Sequence, residues 1–163
     1  MNDDDWELTI MLMNMRLKCK GLLATVLVGL FVLTGCDDEK TIGYGDLPDA
    51  ARAFIEEYFP GREARHVQRE KEDGSRRYEC TLDDGTQLEF DASGAWTEVD
   101  CKFGALPAGI LPEAVSDHMA AHYPKAVAYK VERQPGGYEV SVSGSLELVY
   151  AADGTFVREQ QDL

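Results

Sequence analysis

Few residues of this 163-residue chain have a type and spacing that could do chemistry. His118 and His122 lie four apart, a spacing that sets two imidazoles on one helical face and could serve a metal. No cysteine or acid is placed as a third ligand. The matching positions of an earlier repeat, described below, hold Phe54 and Tyr58, so the pair is expected to cover the edge of an apolar stripe. Asp91-Ala92-Ser93-Gly94 and Ala151-Ala152-Asp153-Gly154 lack the alternating oxygen ligands and closing glutamate of a calcium loop, and read as turns. No serine sits in a Gly-x-Ser-x-Gly elbow, His66 has no recognisable nucleophile partner, and no phosphate loop occurs. Acids are plentiful, but plenty is not a pair held in a cleft. The expectation is a non-enzymatic chain with no catalytic residue, no metal and no cofactor.

One cysteine does carry a chemical expectation. Residues 21–33 are an uninterrupted apolar run, preceded by Arg16, Lys18 and Lys20. At 13 residues it is short of the roughly 20 that a spanning helix needs, and the cation-then-apolar order is that of a secretory signal. It ends in Leu33-Thr34-Gly35-Cys36, which resembles the bacterial lipobox. Cys36 is therefore expected to carry a lipid anchor after removal of residues 1–35. Asp3, Asp4, Asp5 and Glu7 oppose the charge of that leader, and Met15 would start one of ordinary length, so residues 1–14 read as an upstream start.

The whole chain has a net charge of −14, and the leader holds four acids and three bases, which leaves the mature chain near −13. That balance argues against nucleic acid and against charge-driven binding to anionic lipid. The one basic cluster, Arg62, Arg65, Arg69, Lys71, Arg76 and Arg77, is interleaved with Glu63, Glu70, Glu72 and Asp73, and reads as a solvated strand pair and turn.

The elements that must position these residues repeat. Leu47-Pro48-Asp49-Ala50 matches Leu111-Pro112-Glu113-Ala114, Tyr58-Phe59-Pro60 matches His122-Tyr123-Pro124, and Gly94-Ala95-Trp96 matches Gly154-Thr155-Phe156. The expected organisation is an acidic tether over 36–46, one unit over 47–102, a linker over 103–110 and a second unit over 111–163. Prolines open and close each helix, and Ala51, Ile55, Phe59 and Val115, Met119, Tyr123 give each an apolar stripe. Period-two alternation follows, as in Tyr78, Cys80, Leu82 and Tyr138, Val140, Val142, with turn residues at Asp84-Gly85, Ser93-Gly94, Ser143-Gly144 and Asp153-Gly154. The fold class expected is α+β: a tandem repeat of one helix plus a four-stranded antiparallel meander, giving about eight strands with two helices on one face.

Alternation along the strand after Gly94 assigns Ala95, Thr97, Val99 and Cys101 to the helix-covered face and Trp96, Glu98 and Asp100 to the open one. Phe156 repeats the position of Trp96, and Glu89 and Val149 are expected beside them. An exposed tryptophan on a sheet suggests a binding face. Cys80 and Cys101 are expected on the helix side, two strands apart. Two spacings of about 4.8 Å give roughly 10 Å, beyond the ~7 Å that a disulfide spans, so two free buried thiols are expected.

Leu47-Pro48, Phe59-Pro60, Tyr78-Glu79, Asp84-Gly85-Thr86, Leu88-Glu89-Phe90-Asp91, Gly94-Ala95-Trp96 and Val99-Asp100-Cys101-Lys102 together resemble the PepSY-like family of exported Bacteroidetes proteins, whose fold is similar to that of β-lactamase inhibitor protein. Ser143-Gly144-Ser145 and Phe156 depart from that pattern in the second unit. The resemblance implies a non-enzymatic module that binds a protein or peptide of the cell envelope through its open sheet face. The competing expectation is a structural or envelope-stress protein whose sheet is covered by its own chain. Asp37-Asp38-Glu39 after Cys36 resembles a surface-export signal of Bacteroidetes lipoproteins, and also an inner-membrane retention signal of other Gram-negative bacteria; the expected location is a membrane-anchored one, at the outer membrane or cell surface or on a periplasmic face.

Overall fold

The computed structural model describes residues 39–72 and 74–161. The leader, Cys36, Asp37 and Asp38 lie outside the described residues. Among the described residues, nine strands form one antiparallel sheet in sequence order: β1 (Lys40–Thr41), β2 (Ala64–Glu72), β3 (Ser75–Leu82), β4 (Gln87–Asp91), β5 (Trp96–Asp100), β6 (Ala128–Gln134), β7 (Gly137–Val142), β8 (Leu146–Ala151) and β9 (Phe156–Gln161). Helix α1 (Asp49–Tyr58) precedes β2, and helix α2 (Glu113–His122) precedes β6. No described helix is long and apolar enough to cross a membrane.

The sheet has one strand more than the eight expected. Lys40 and Thr41 pair with Arg69 and Gln68, a 3-10 turn follows at Tyr44–Asp46, and Leu47 is buried. Residues 40–46, expected to be part of the tether, are thus part of the fold. Two strand residues are too few to show a period in the sequence.

Helix boundaries follow the prolines. Pro48 and Pro112 cap the two helices with nearly identical extended geometry (φ −53°, ψ 146° and φ −52°, ψ 146°). Phe59 and Tyr123, each before a proline, end them at φ −128°, as steric conflict with the next ring requires. Ala51 and Ile55 of α1 and Val115 and Met119 of α2 are buried in one core with Cys80, Leu82, Leu88, Phe90, Val99, Val131, Val140, Leu148 and Tyr150. Gly94 turns at φ +86° between β4 and β5, and a Cβ there would stand 2.7 Å from Pro48 Cβ. Only glycine lets this turn touch the start of α1.

One packing expectation is reversed. Trp96 is 9% exposed and lies on the helix face, with its ring 6.3 Å from Phe54 and under the Arg133 guanidinium at 4.0 Å. The reason is a β-bulge. Phe90 pairs with Trp96 while Glu89 pairs with Glu98, so Thr97 is an extra residue that shifts the phase of β5. The same occurs in β9, where Tyr150 pairs with Phe156 and Val149 with Arg158 around the extra Val157. Phe156 therefore also faces the helices, stacked 4.6 Å from His118. Phe103, two residues past Cys101 and so on the helix side by simple alternation, is instead 94% exposed. Lys102 adopts φ +44° just past the end of β5 and breaks the alternation.

Candidate functional site

With Trp96 and Phe156 on the covered face, the open face belongs to polar residues. Its centre is a row of glutamates in cross-strand register. Glu79 pairs with Glu89, Glu89 with Glu98, Glu98 with Glu132, and Glu132 with Glu139. The row crosses β3 to β7, a span of roughly 19 Å at the usual strand spacing. It continues through Val149 to Arg158 on β8 and β9. Like charges directly opposite one another destabilise a sheet, and only some of this charge is offset. Lys130 Nζ lies 3.0 Å from Glu98, and Arg77 lies 3.9 Å from Glu89. The Gln134 amide donates to Glu132 at 2.9 Å and to Glu139 at 3.2 Å.

A cleft lies beside the bulge residue Thr97. It has a volume of about 520 Å³ and is lined by Arg77, Glu89, Thr97, Glu132 and the β6–β7 hairpin residues Arg133, Gln134 and Pro135. The Thr97 hydroxyl oxygen is buried and has no hydrogen-bond partner. Burial raises the Glu89 carboxyl above its ordinary value; Glu98 adds to the effect and Arg77 opposes it. Burial raises Glu132 as well; Lys130 opposes, while Glu98 and Glu139 add to it. In both, burial and neighbouring carboxylates outweigh the one cation beside each, Arg77 at Glu89 and Lys130 at Glu132. Glu89 and Glu132 present acceptors to this cleft from two strands, beside the Arg77 and Arg133 side chains.

Of the residues expected on the open face, Glu89, Glu98, Asp100 and Val149 are there. Asp100 is 6% exposed, because its carboxylate is bonded by the Lys102 backbone N–H at 2.8 Å and by the Lys102 ammonium at 2.5 Å. Sequence reasoning missed Glu132 and Glu139 as members of the same row. The Tyr138-Glu139 alternation was a signal for Glu139, whereas Glu132 depends on β6 lying beside β5, which no local pattern reveals.

The remaining chemical candidates are structural. His118 and His122 stack at 4.6 Å, and His118 Nδ1 lies 3.1 Å from the Tyr150 hydroxyl. Among the described residues no group of three or more His, Cys, Asp or Glu is disposed to hold a metal. The turn aspartates are spent on their own backbone: Asp91 accepts from Ser93 and Ala95, and Asp153 accepts from Thr155. Cys80 and Cys101 are both free and buried, and burial pushes each thiol up to about 11.

Fold and face together define an α+β domain with two helices on one side of a nine-stranded antiparallel sheet and an acidic surface on the other. The chain belongs to the PepSY-like family, whose model, described as "Putative beta-lactamase-inhibitor-like, PepSY-like", matches residues 76–158. Three solved structures are similar. A "putative periplasmic protein from DUF2874 family" of Bacteroides vulgatus is 33% identical with a TM-score of 0.74, covering 78% of this chain and all of that one. A "putative calcium-regulated periplasmic protein" of Bacteroides thetaiotaomicron is 31% identical with a TM-score of 0.73, covering 76% and 98%. A second Bacteroides vulgatus periplasmic protein of unknown function is also 31% identical at 0.73, covering 76% and 99%. No curated protein matches the sequence. None of these names states an enzymatic activity.

Proposed function

We propose that this chain is an exported, lipid-anchored binding module that takes a cationic segment of an envelope protein or peptide on its glutamate-lined sheet face. The observation that carries this reading is the row Glu79, Glu89, Glu98, Glu132 and Glu139, with the Thr97 cleft set into it. Four opposed pairs of like charge reduce stability, and a cationic partner would relieve the repulsion on binding. Export is supported by the periplasmic names of the similar structures and by the leader in the sequence. Anchoring rests on Leu33-Thr34-Gly35-Cys36. We read the two helix-plus-four-strand halves as copies of one unit, supported by their matching helix caps and by bulges at equivalent places.

The test is calorimetric titration of the protein with a short arginine- and lysine-containing peptide. Glu89→Gln/Glu132→Gln should weaken binding at least tenfold, and Glu56→Gln/Glu57→Gln, which removes the same charge from α1, should leave it within twofold. Equal losses in the two variants would reduce the interaction to net charge and sink the cleft. For the anchor, Cys36→Ser should move the protein from the membrane to the soluble fraction.

A further inference from the structure

In sequence order the basic residues of the β2–β3 hairpin alternate with acids. Strand register sorts them. Arg69 pairs with Tyr78, whose side chain is in the core, so Arg69 lies on the helix side of the sheet. Lys40 pairs with Arg69, and Lys71, two residues on, pairs with Arg76. Four cations, Lys40, Arg69, Lys71 and Arg76, therefore share one face, while Glu70, paired with Arg77, is on the other. Among the described residues none of the four is in an ion pair. The hairpin end also projects. The last residue of β4, Asp91, pairs with Arg77, so Ser75 and Arg76 at the start of β3 have no strand partner on that side.

Strand β1 fixes where this patch lies relative to Cys36. It runs antiparallel to β2, and the order Lys40–Arg69, Thr41–Gln68, Ile42 N–H to Val67 carbonyl at 2.9 Å means that the chain arrives from the hairpin tip. Glu39 is already bonded to Gln68. Three residues separate Cys36 from Lys40, a reach of at most about 14 Å. From the tip to Ala64 at the far end of β2 is roughly 30 Å.

We infer that the cationic face of the β2–β3 hairpin, completed by Lys40, docks on anionic lipid headgroups and holds the domain with this hairpin against the membrane. This rests on the anchoring of Cys36. A lipobox cysteine takes a diacylglycerol, whose two chains are enough for stable attachment, so a basic patch beside it serves to set orientation. The net charge near −13 repels such a surface as a whole, so the patch acts by orienting the domain once the lipid holds it there. The glutamate face is thereby left free of the bilayer.

The experiment uses the full lipoprotein in phosphatidylcholine vesicles with and without phosphatidylglycerol, whose headgroups carry a nitroxide quencher. A fluorophore is placed at Ser75→Cys, beside the tip, or at Glu63→Cys, at the opposite end of β2. The native thiols at 80 and 101 are buried. The Ser75 site should be quenched in anionic vesicles and the Glu63 site should not. Changing Lys40, Arg69, Lys71 and Arg76 to Gln should lower quenching at Ser75, with each charge changing occupancy of the docked orientation by roughly fivefold. Salt at about 0.5 M should act in the same direction, because screening then falls within a few ångströms. Equal quenching at both sites, or no response to the four substitutions while the protein still floats with the vesicles, overturns the docking and leaves the anchor standing. Failure to float with the vesicles overturns both.

Discussion

At the scale of single residues, the glutamate row makes stability depend on pH in a direction opposite to that of the turn aspartates. Burial holds the Glu89 and Glu132 carboxyls above their ordinary values, with neighbouring carboxylates adding to it. A carboxyl raised on folding contributes stability that is present below its unfolded value of about 4.3 and lost as pH rises through the folded value. Asp84 and Asp91 run the other way. Burial works against them, but bonds from Thr86 to Asp84 and from Ser93 and Ala95 to Asp91 hold both low. Their contribution is present above about 3.9 and lost as pH falls below it. His118, lowered by burial and by His122, weakens the fold on acidification in its own range. Comparing the parent with Glu89→Gln/Glu132→Gln cancels the aspartate and histidine effects. The variant should have the higher urea midpoint at pH 7, and the gap should close as pH falls toward about 4, where the parent's carboxyls are protonated. A gap that stays constant with pH would show that the two glutamates do not titrate abnormally.

At the scale of elements, the two bulges decide what each strand presents. Alternation makes Tyr78, Cys80 and Leu82 legible as core, and proline and glycine chemistry makes the helix ends and hairpins legible. Thr97 and Val157 carry no comparable mark. A bulge adds one residue opposite a partner strand, and its cause lies in that pairing, so counting by twos through Thr97 reverses the face of Trp96. The reversal changes what Trp96→Ala tests. Its indole packs on Phe54 and Tyr138 under Arg133, and truncation of a core aromatic costs about 3–5 kcal/mol. Trp96→Ala should lower the unfolding free energy by about that amount, read from urea titration, while the fraction that remains folded binds the cationic peptide with parental affinity. Unchanged stability with lost binding would restore the indole to the binding face.

At the scale of the whole molecule, the two helix-plus-four-strand halves meet at one joint. Glu98, Val99 and Asp100 of β5 pair with Glu132, Val131 and Lys130 of β6, and the Cys101 N–H donates to the Tyr129 carbonyl at 2.8 Å. Val99 and Val131, opposite one another there, are both fully buried, and the core cluster runs without a break from Leu47 to Tyr150. The helix-then-strands order of each half was legible in the sequence, but their adjacency through β5 and β6 was not, because an order of strands is a non-local property. This joint predicts one cooperative transition. Calorimetric and van't Hoff enthalpies of unfolding should agree, and Val131→Ala should lower the single midpoint. Two resolved transitions would show halves that melt independently.

The short first strand also has a mechanical meaning. A load applied on the N-terminal side of Lys40 acts on a strand at the edge of the sheet that is paired with β2 over only two residues. With so few bonds to break, β1 gives way before any longer strand does. Release of residues 40–46 would add about 25 Å of extended chain before the pull reaches buried Leu47 and the core. The segment is thus a fuse: were the domain held at Cys36 as proposed, tension would lengthen its reach while the sheet stayed intact.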